Sequence, residues 1–232
     1  MKPIGLYIHI PFCKGKCPYC DFYSVTPHGS VIEDYTAEVC RRLSAETRIF
    51  DTVYFGGGTP SLLGAENICR ILGSVNAADG CEMTLECNPS DTGSRDSNFD
   101  FKAVADAGIN RISMGLQSSS DSERRFLGRR AGADDAERAV ERANAAGIDN
   151  ISLDLMLGLA GQSTESVGRS IEFCRRLGAK HLSAYLLKLE QGTPLYTRRN
   201  ELHLPDEDET AELYLFTCLL YTSPSPRDPK TS

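Results

Sequence analysis

The chain has 232 residues, of which 41% are hydrophobic and 25% charged, and its formal net charge is −7. This length and composition are typical of one large globular domain or two small ones. An acidic chain without a basic run is not expected to bind nucleic acid. No apolar stretch reaches the roughly 20 residues of a membrane-spanning helix, and the N-terminus lacks a signal-peptide pattern. Nine cysteines without an export signal favour a reducing compartment, so the cytoplasm is the expected location.

Short β-rich segments alternate with amphipathic segments through most of the chain. The predicted strands are 4–10, 52–56, 82–87, 111–117, 150–157 and 181–189. The predicted helices are 31–48, 65–74, 101–107, 133–146 and 164–177. Strand and helix in alternation predict a parallel α/β sheet. Gly108 and Gly147, each in an Ala-Gly-Ile sequence, are typical of glycines that close a helix before the next strand.

Polar residues cluster where several of the predicted strands end. They lie at 56–59 and 86–88, at Gln117 and at Asp154. In a parallel barrel these strand ends surround one cavity, whereas in an open doubly wound sheet they line a crevice. We favour a curved, partial (β/α)6 barrel of the TIM type, covering residues 1–200, over the open sheet.

The segment IHIPFCKGKCPYCDFYS, residues 8–24, carries Cys13, Cys17 and Cys20 in a C-x3-C-x2-C spacing. Thiolates at such short spacing favour zinc or an iron–sulfur cluster. Structural zinc takes four protein ligands, and the nearest fourth candidate, His9, lies in a predicted strand and is more typical of a packed group. A [4Fe–4S] cluster held by three cysteines leaves one iron open to a small molecule. The triplet alone leaves cluster, zinc and coincidence open.

Four motifs downstream bear on this choice. They are FGGGTPS at 55–61, ECNP at 86–89, ISMGLQS at 112–118 and SLDL at 152–155. Consecutive glycines at a strand end allow close approach of a ligand and expose N–H groups to an anion, although a tight turn also explains an isolated glycine run. Glu86 and Asp154 supply carboxylates and Gln117 an amide, and each by itself is ordinary polarity at a strand end.

In this order the motifs resemble the radical S-adenosylmethionine (SAM) superfamily. Within it the chain is most similar to the oxygen-independent coproporphyrinogen III oxidases and their relatives, the haem chaperones of the HemW branch. The resemblance covers residues 4–196 and includes YIHIPFC, FGGGTPS, ECNP, NRISMGLQS, LGR, DLMLGL and HLSAYLLKLEQGTP. It implies a [4Fe–4S] cluster and SAM, whose amino and carboxylate groups bind the open iron and whose reductive cleavage yields a 5′-deoxyadenosyl radical.

The resemblance also implies roles for individual residues. Cys13, Cys17 and Cys20 would ligate the cluster. The implied SAM contacts are Tyr7 and Tyr19 near the cluster, Gly57, Gly58 and Thr59 at the amino-acid end, Glu86 and Asp154 at hydroxyl or amino groups, and Gln117 and Arg129 elsewhere. The alternative for Glu86 and Arg129 is an ion pair at the rim. Five other cysteines are expected to be small packed residues: Cys40, Cys69, Cys81, Cys87 and Cys174.

Two departures separate the oxidase and chaperone branches. The oxidases are expected to carry another cysteine two residues after the third, where this chain has Phe22, and an N-terminal extension before the first strand. Both departures favour a haem chaperone, which would bind haem largely through a C-terminal domain and pass it to a target protein. Ala131 stands where relatives usually have a histidine, and a haem or substrate role based on that position is in doubt.

Other functions remain as alternatives. They are a coproporphyrinogen III oxidase with a porphyrin substrate, a non-catalytic zinc-binding α/β module, and a radical SAM enzyme with an unrelated substrate. The resemblance also implies an electron donor such as flavodoxin or ferredoxin.

The C-terminal part follows a different pattern. Residues 201–217 predict the start of a C-terminal domain or a linker helix, because Pro205 and the acidic residues after it suit a helix N-terminus. Residues 218–232 contain three prolines and no periodicity, and they resemble the translation of a sequencing adapter. We therefore expect a non-native tail and exclude Cys218 from the chemistry; a disordered tail is the alternative.

Overall fold

The computed structural model describes residues 4–222 and contains one sheet of six parallel strands in the order β1-β2-β3-β4-β5-β6. The strands are β1 (Gly5–Ile10), β2 (Phe50–Gly57), β3 (Ala77–Cys87), β4 (Arg111–Gln117), β5 (Asn150–Leu157) and β6 (His181–Leu186). A doubly wound sheet reverses its strand order at a switch point, whereas a barrel keeps the chain order. The predicted partial barrel is therefore confirmed, with β1 and β6 as its two open edges.

Nine α-helices lie within residues 4–222. They are α1 (Val31–Ser44), α2 (Gly64–Leu72), α3 (Pro89–Thr92), α4 (Phe101–Asp106), α5 (Asp121–Phe126), α6 (Ala133–Ala145), α7 (Thr164–Arg176), α8 (Pro194–Thr197) and α9 (Glu207–Thr222). The five helices predicted between strands are all present. The short helices α3, α5 and α8, of four to six residues each, were not predicted.

Alternate residues of each strand face opposite sides of the sheet. In β4, Ile112 and Met114 are fully buried in the main hydrophobic core with the helices, while Arg111, Ser113 and Gly115 face the inner side of the partial barrel. The strand β5 repeats this division. The outer face therefore holds the sheet to its helices, and the inner face is free for chemistry.

Two of the glycines predicted to close helices do so. Gly108 and Gly147 have φ angles of 118° and 92°, which residues other than glycine rarely adopt. The N–H groups of the next residues, Ile109 and Ile148, donate to carbonyls of the last helical turn at 2.9 and 3.0 Å. These are Schellman bonds, and they direct each isoleucine into the core ahead of the next strand.

The helix α9 begins with reciprocal capping bonds between Asp206 and Glu209, at 2.9 and 2.8 Å. Leu213 and Thr217 are buried against the rest of the domain. The helix crosses the predicted boundary at Thr217 and continues to Thr222. The origin of residues 218–232 stays a prediction, and residues 223–232 lie outside the described part of the chain. Within residues 4–222, no helix is long and apolar enough to cross a membrane.

Candidate functional site

A cavity of about 500 Å³ lies at the C-terminal ends of the strands. Each of the six strands contributes to its wall, either with residues of the strand itself or with residues that follow it. The predicted site residues that line it are Cys13, Cys17, Tyr19, Cys20, Gly57, Gly58, Thr59, Glu86, Gln117, Arg129 and Asp154. Strand ends that are far apart in the sequence thus meet in one place, as the barrel prediction requires.

The three cysteines lie in the loop between β1 and α1. They are half-buried and form no disulfide. Phe12, which is 1% exposed, anchors the loop in the core, and Cys13 donates its N–H to the carbonyl of Val25 at 3.0 Å. The N–H of Cys20 donates to the carbonyl of Cys17 at 3.0 Å. The backbone therefore fixes all three thiols on one wall of the cavity.

The donor chemistry of this wall fits a cluster better than a single ion. Among residues 4–222, no three Cys, His, Asp or Glu side chains are gathered closely enough to hold one metal ion. A preformed tetrahedral zinc site is therefore absent from the described part of the chain. A [4Fe–4S] cluster binds each cysteine through a different iron. Its thiols therefore stand farther apart than the ligands of a single ion, on the same side of the cavity.

The glycine motif packs directly on the cysteine loop. The N–H groups of Gly58 and Thr59 donate to the carbonyls of Ile10 and Phe12 at 2.8 and 2.7 Å, and the N–H of Gly57 donates to Glu86 at 3.2 Å. All three amides already have acceptors, so the expectation that they are offered to an anion is wrong. The glycines instead allow the end of β2 to approach the cysteine loop closely.

Gly57 and Gly58 make room in different ways. Gly57 has a φ of 118°, in the left-handed region that favours glycine. A Cβ atom on Gly58 would lie 2.6 Å from the carbonyl oxygen of Phe12 and 3.1 Å from Sγ of Cys13. The hydroxyl of Thr59 lies 3.5 Å from the same Sγ atom. The first cysteine is thus held against the end of β2.

Two carboxylates stand on neighbouring parts of the inner face. Glu86 accepts hydrogen bonds from the Tyr54 hydroxyl at 2.7 Å and from Gly57, and burial raises its pKa. Asp154 accepts from Ser113 at 3.3 Å, and burial raises its pKa to about 6. The negative charge of Glu86 also contributes to this rise. Two acceptors held in one cavity suit a ligand that brings hydroxyl or ammonium donors.

Arg129 is not the partner of Glu86. Its guanidinium donates to the carbonyl of Gly115 at 2.7 Å, and within residues 4–222 no ion pair joins it to Glu86. The alternative of a rim ion pair is therefore wrong. A Cβ atom on Gly115 would overlap the Arg129 guanidinium and lie 2.8 Å from the Gln117 amide, so a side chain there would displace the ends of these two flexible side chains.

Gln117 has features that the sequence did not predict. Its φ is 68°, and it is the one residue other than glycine with a positive φ within residues 4–222. Its Oε1 atom is buried and has no hydrogen-bond partner, although the side chain lines the cavity. An unpaired buried acceptor and a strained backbone are both expected where a ligand binds.

Tyr7 is the one predicted site residue that the structure places outside the cavity wall. Its ring stacks on Tyr54, with centroids 6.0 Å apart, and its hydroxyl lies 3.3 Å from Nδ1 of His9. Because Tyr54 in turn donates to Glu86, Tyr7 is connected to the site through Tyr54. His9 is a packed group, as predicted, with its Nε2 atom buried and unpaired.

Several wall residues were not predicted. They include Phe22, Met156, Tyr185, Leu186 and Lys188. Three of them follow from the rule already used for the other strands, because they lie at or just beyond the C-terminal end of β6. The cavity wall also includes Cys87, whose pKa burial raises strongly, so that it stays a thiol. Ala131 does not line the cavity.

The ionisation of Asp154 makes the fold sensitive to pH. The folded state binds this proton more tightly than the unfolded chain, so stability falls as pH rises from 3.8 to about 6. The variant Asp154→Asn is therefore expected to be more stable than the parent by about 2 kcal/mol at pH 7, and by little near pH 4. Urea unfolding of both proteins at the two pH values measures this difference. Asp149→Asn is the control, because Lys180 lowers the pKa of that exposed carboxylate; an equal gain there would contradict the prediction.

Together these features define a class: a parallel partial barrel whose strand ends surround a polar cavity beside three free thiols of one loop. The sequence profile of the Radical SAM superfamily matches residues 7–174. The chain belongs to the radical SAM superfamily, and the resemblance drawn from the motifs is confirmed.

Individual relatives refine this membership. The chain is 36% identical to the heme chaperone HemW of Lactococcus lactis over 220 residues, covering 92% of this chain and 57% of that protein. It is 38% identical to HemW of Escherichia coli over 224 residues, covering 92% and 58%. The chain thus spans a little over half the length of these curated relatives.

Solved structures agree on the fold. Coproporphyrinogen III oxidase (HemN) from Escherichia coli superposes with a TM-score of 0.79 at 21% identity, covering 95% of this chain and 52% of that one. SuiB from Streptococcus suis, solved with S-adenosylmethionine bound, superposes with a TM-score of 0.64 at 15% identity, covering 95% and 48%. At these identities the comparison establishes the partial barrel alone.

Proposed function

We propose that the chain is the cluster- and SAM-binding part of a haem chaperone, which binds haem and transfers it to target proteins. The observation that carries this proposal is Phe22. It stands two residues after Cys20, where the oxidase branch is expected to have a further cysteine, and it lines the cavity with 71% of its surface exposed. The names of the curated relatives support the same choice.

In this proposal Cys13, Cys17 and Cys20 hold a [4Fe–4S] cluster, and the open iron binds SAM. The bound cluster and SAM supply radical chemistry, and the protein supplies their orientation and shielding. Burial raises the pKa of Cys20, so loading iron displaces a proton that the empty site retains at neutral pH. The close packing of Gly58 on Cys13 keeps the first ligand in place.

The remaining wall residues would bind SAM. Glu86 and Asp154 would accept hydrogen bonds from its hydroxyl or amino groups, since both are acceptors that line the cavity. The unpaired Oε1 atom of Gln117 would accept from a further donor. Tyr19 and Arg129 would complete the wall. Gly57, Gly58 and Thr59 would allow close approach of the methionyl end.

The test uses the gene product at the full length of its curated relatives, reconstituted anaerobically with iron and sulfide. It is titrated with haem and, separately, incubated with SAM, reductant and coproporphyrinogen III. We expect haem binding, seen as a shift of haem absorption, and no protoporphyrinogen. HemN from Escherichia coli is the positive control for turnover. Formation of protoporphyrinogen, or the absence of haem binding, would overturn the chaperone proposal.

The oxidase is the second candidate, because the sequence motifs resemble that family as well as the chaperone branch. The same incubation decides between the two. A haem-accepting protein is the proposed partner of the chaperone, and flavodoxin or ferredoxin is the proposed electron donor.

A further inference from the structure

The backbone at Gln117 is strained, and its surroundings must hold it in this conformation. A residue other than glycine in the left-handed region costs on the order of 1–3 kcal/mol and persists only where its surroundings fix it. The pairing of β4 with β5 is irregular between Gly115 and Gln117, so regular sheet bonds do not fix this conformation. The restraint must come from the segment that follows.

That segment is held from two helices. The carbonyl of Ser118 accepts from the guanidinium of Arg124 in α5 at 2.6 Å, and the N–H of Ser119 donates to the hydroxyl of Ser170 in α7 at 3.0 Å. Ser118, Arg124 and Ser170 are all nearly fully buried. The two residues after Gln117 are therefore fixed by groups that never reach the cavity.

Glu123 connects this segment to a second part of the cavity wall. Its side chain is 4% exposed, and its carboxylate accepts from the Ser118 hydroxyl at 2.7 Å and from Nε2 of Gln162 at 3.1 Å. The same Nε2 group donates to the carbonyl of Met156 at 2.9 Å, and Met156 lines the cavity. One carboxylate thus ties the end of β4 to the end of β5.

Packing alone does not explain why a carboxylate is buried at this position. Burying an ionisable group costs free energy unless hydrogen bonds compensate, and an apolar residue of similar size is often as stable or more so. Glu123 makes no ion pair within the described residues, and both of its side-chain donors belong to segments that form the cavity wall. The burial of Glu123 is therefore explained by the two segments of the cavity wall that it holds in place.

We infer that Glu123 is a positioning residue: acting through Ser118 and Gln162, it fixes the strained Gln117 backbone and the Met156 segment, and so sets the shape of the ligand cavity. This inference rests on the proposed function in one respect, that the ligand is SAM. The restraint on residues 117–119 exists without any ligand. The two statements can therefore be tested separately.

The test variant is Glu123→Gln. The glutamine keeps the size of the side chain but carries no charge, so its oxygen is a weaker acceptor than Oε2 of Glu123, the one atom that accepts from both Ser118 and Gln162. Thr36→Ala is the control, because Thr36 is fully buried in α1 and loses one hydrogen bond of its own, to the carbonyl of Ile32. Ser118→Ala removes the hydrogen bond between Glu123 and the end of β4, and it replaces Glu123→Gln if that variant does not fold.

Hydrogen exchange of the ligand-free chain, followed by mass spectrometry on a peptide that spans residues 115–121, is the first measurement. We expect exchange at least tenfold faster in Glu123→Gln and unchanged in Thr36→Ala. Unchanged exchange in Glu123→Gln, or equal acceleration in the control, overturns the positioning role. This measurement is independent of the cofactor.

Equilibrium dialysis of SAM with the iron–sulfur-reconstituted chain is the second measurement. We expect about tenfold weaker binding in Glu123→Gln at equal iron content, and parent-like binding in Thr36→Ala. Altered exchange with unaltered SAM affinity overturns the claim that Glu123 shapes the cavity. Absence of SAM binding in the parent chain overturns the proposed function and leaves the exchange result to judge Glu123.

Discussion

Serine in place of Cys13, Cys17 or Cys20 is expected to abolish the iron–sulfur cluster of the reconstituted chain. The three thiols share one cavity wall, and the cluster already lacks a fourth protein ligand. Loss of one more ligand would leave it held by only two cysteines. Iron and sulfide content, visible absorption and zinc content are measured after anaerobic reconstitution. We expect four iron atoms per chain in the parent protein, as the proposed [4Fe–4S] cluster requires, and less than a tenth of that in each variant.

The control for these variants is Cys69→Ser. Cys69 is half-buried like the three loop cysteines, but it lies in α2 and its thiol donates to the carbonyl of Ala103, a bond that serine retains. Parent-like iron content is expected for this variant. Stoichiometric zinc in the purified parent chain would contradict the cluster and support the zinc-binding alternative. Full iron content after the loss of Cys17 would contradict its role as a cluster ligand.

Alanine at Gly58 is expected to disrupt the junction between the glycine motif and the cysteine loop. The new Cβ atom would lie 2.6 Å from a backbone oxygen, so the strand end or the loop must shift. Overpacking of this kind costs about 1–3 kcal/mol. Because the shift moves Cys13, we expect cluster occupancy to fall by at least half and SAM affinity by at least tenfold.

Gly15→Ala, in the cysteine loop, is the matched control. Nothing lies within 4 Å of a Cβ atom at that position, and neither Gly15 nor Gly58 has a left-handed backbone. The pair therefore compares crowding with open space while the chemical change stays the same. Urea unfolding and iron content are the measurements, and equal effects of the two substitutions would contradict the steric explanation.

The sequence predicts the site well where its chemistry depends on topology. Parallel strands bring their C-terminal ends together, so Glu86, Gln117 and Asp154 meet in one cavity although they are widely separated in the chain. The alternation of apolar and polar residues in β4 and β5 likewise predicts which side faces the helices. Strand order and the curved sheet follow from the same pattern.

The features that the sequence did not predict depend on hydrogen bonds between distant segments. The amides of the glycine motif were expected to be free, but Ile10, Phe12 and Glu86 use them, and no local pattern reveals those acceptors. The left-handed backbone of Gln117 is similar, since glutamine has no preference for that conformation. Tyr7 was assigned to the cavity by resemblance, but it is not part of the cavity wall and stacks on Tyr54, with 57% of its surface exposed.

The two-sided sheet has a consequence for how members of this fold diverge. Along β4, a residue that packs against the helices alternates with a residue that faces the inner side of the partial barrel. Selection for a new ligand can therefore act on every second position without disturbing the helical layer. A sheet organised in this way keeps its architecture while its chemistry changes, which lets one barrel serve unrelated reactions.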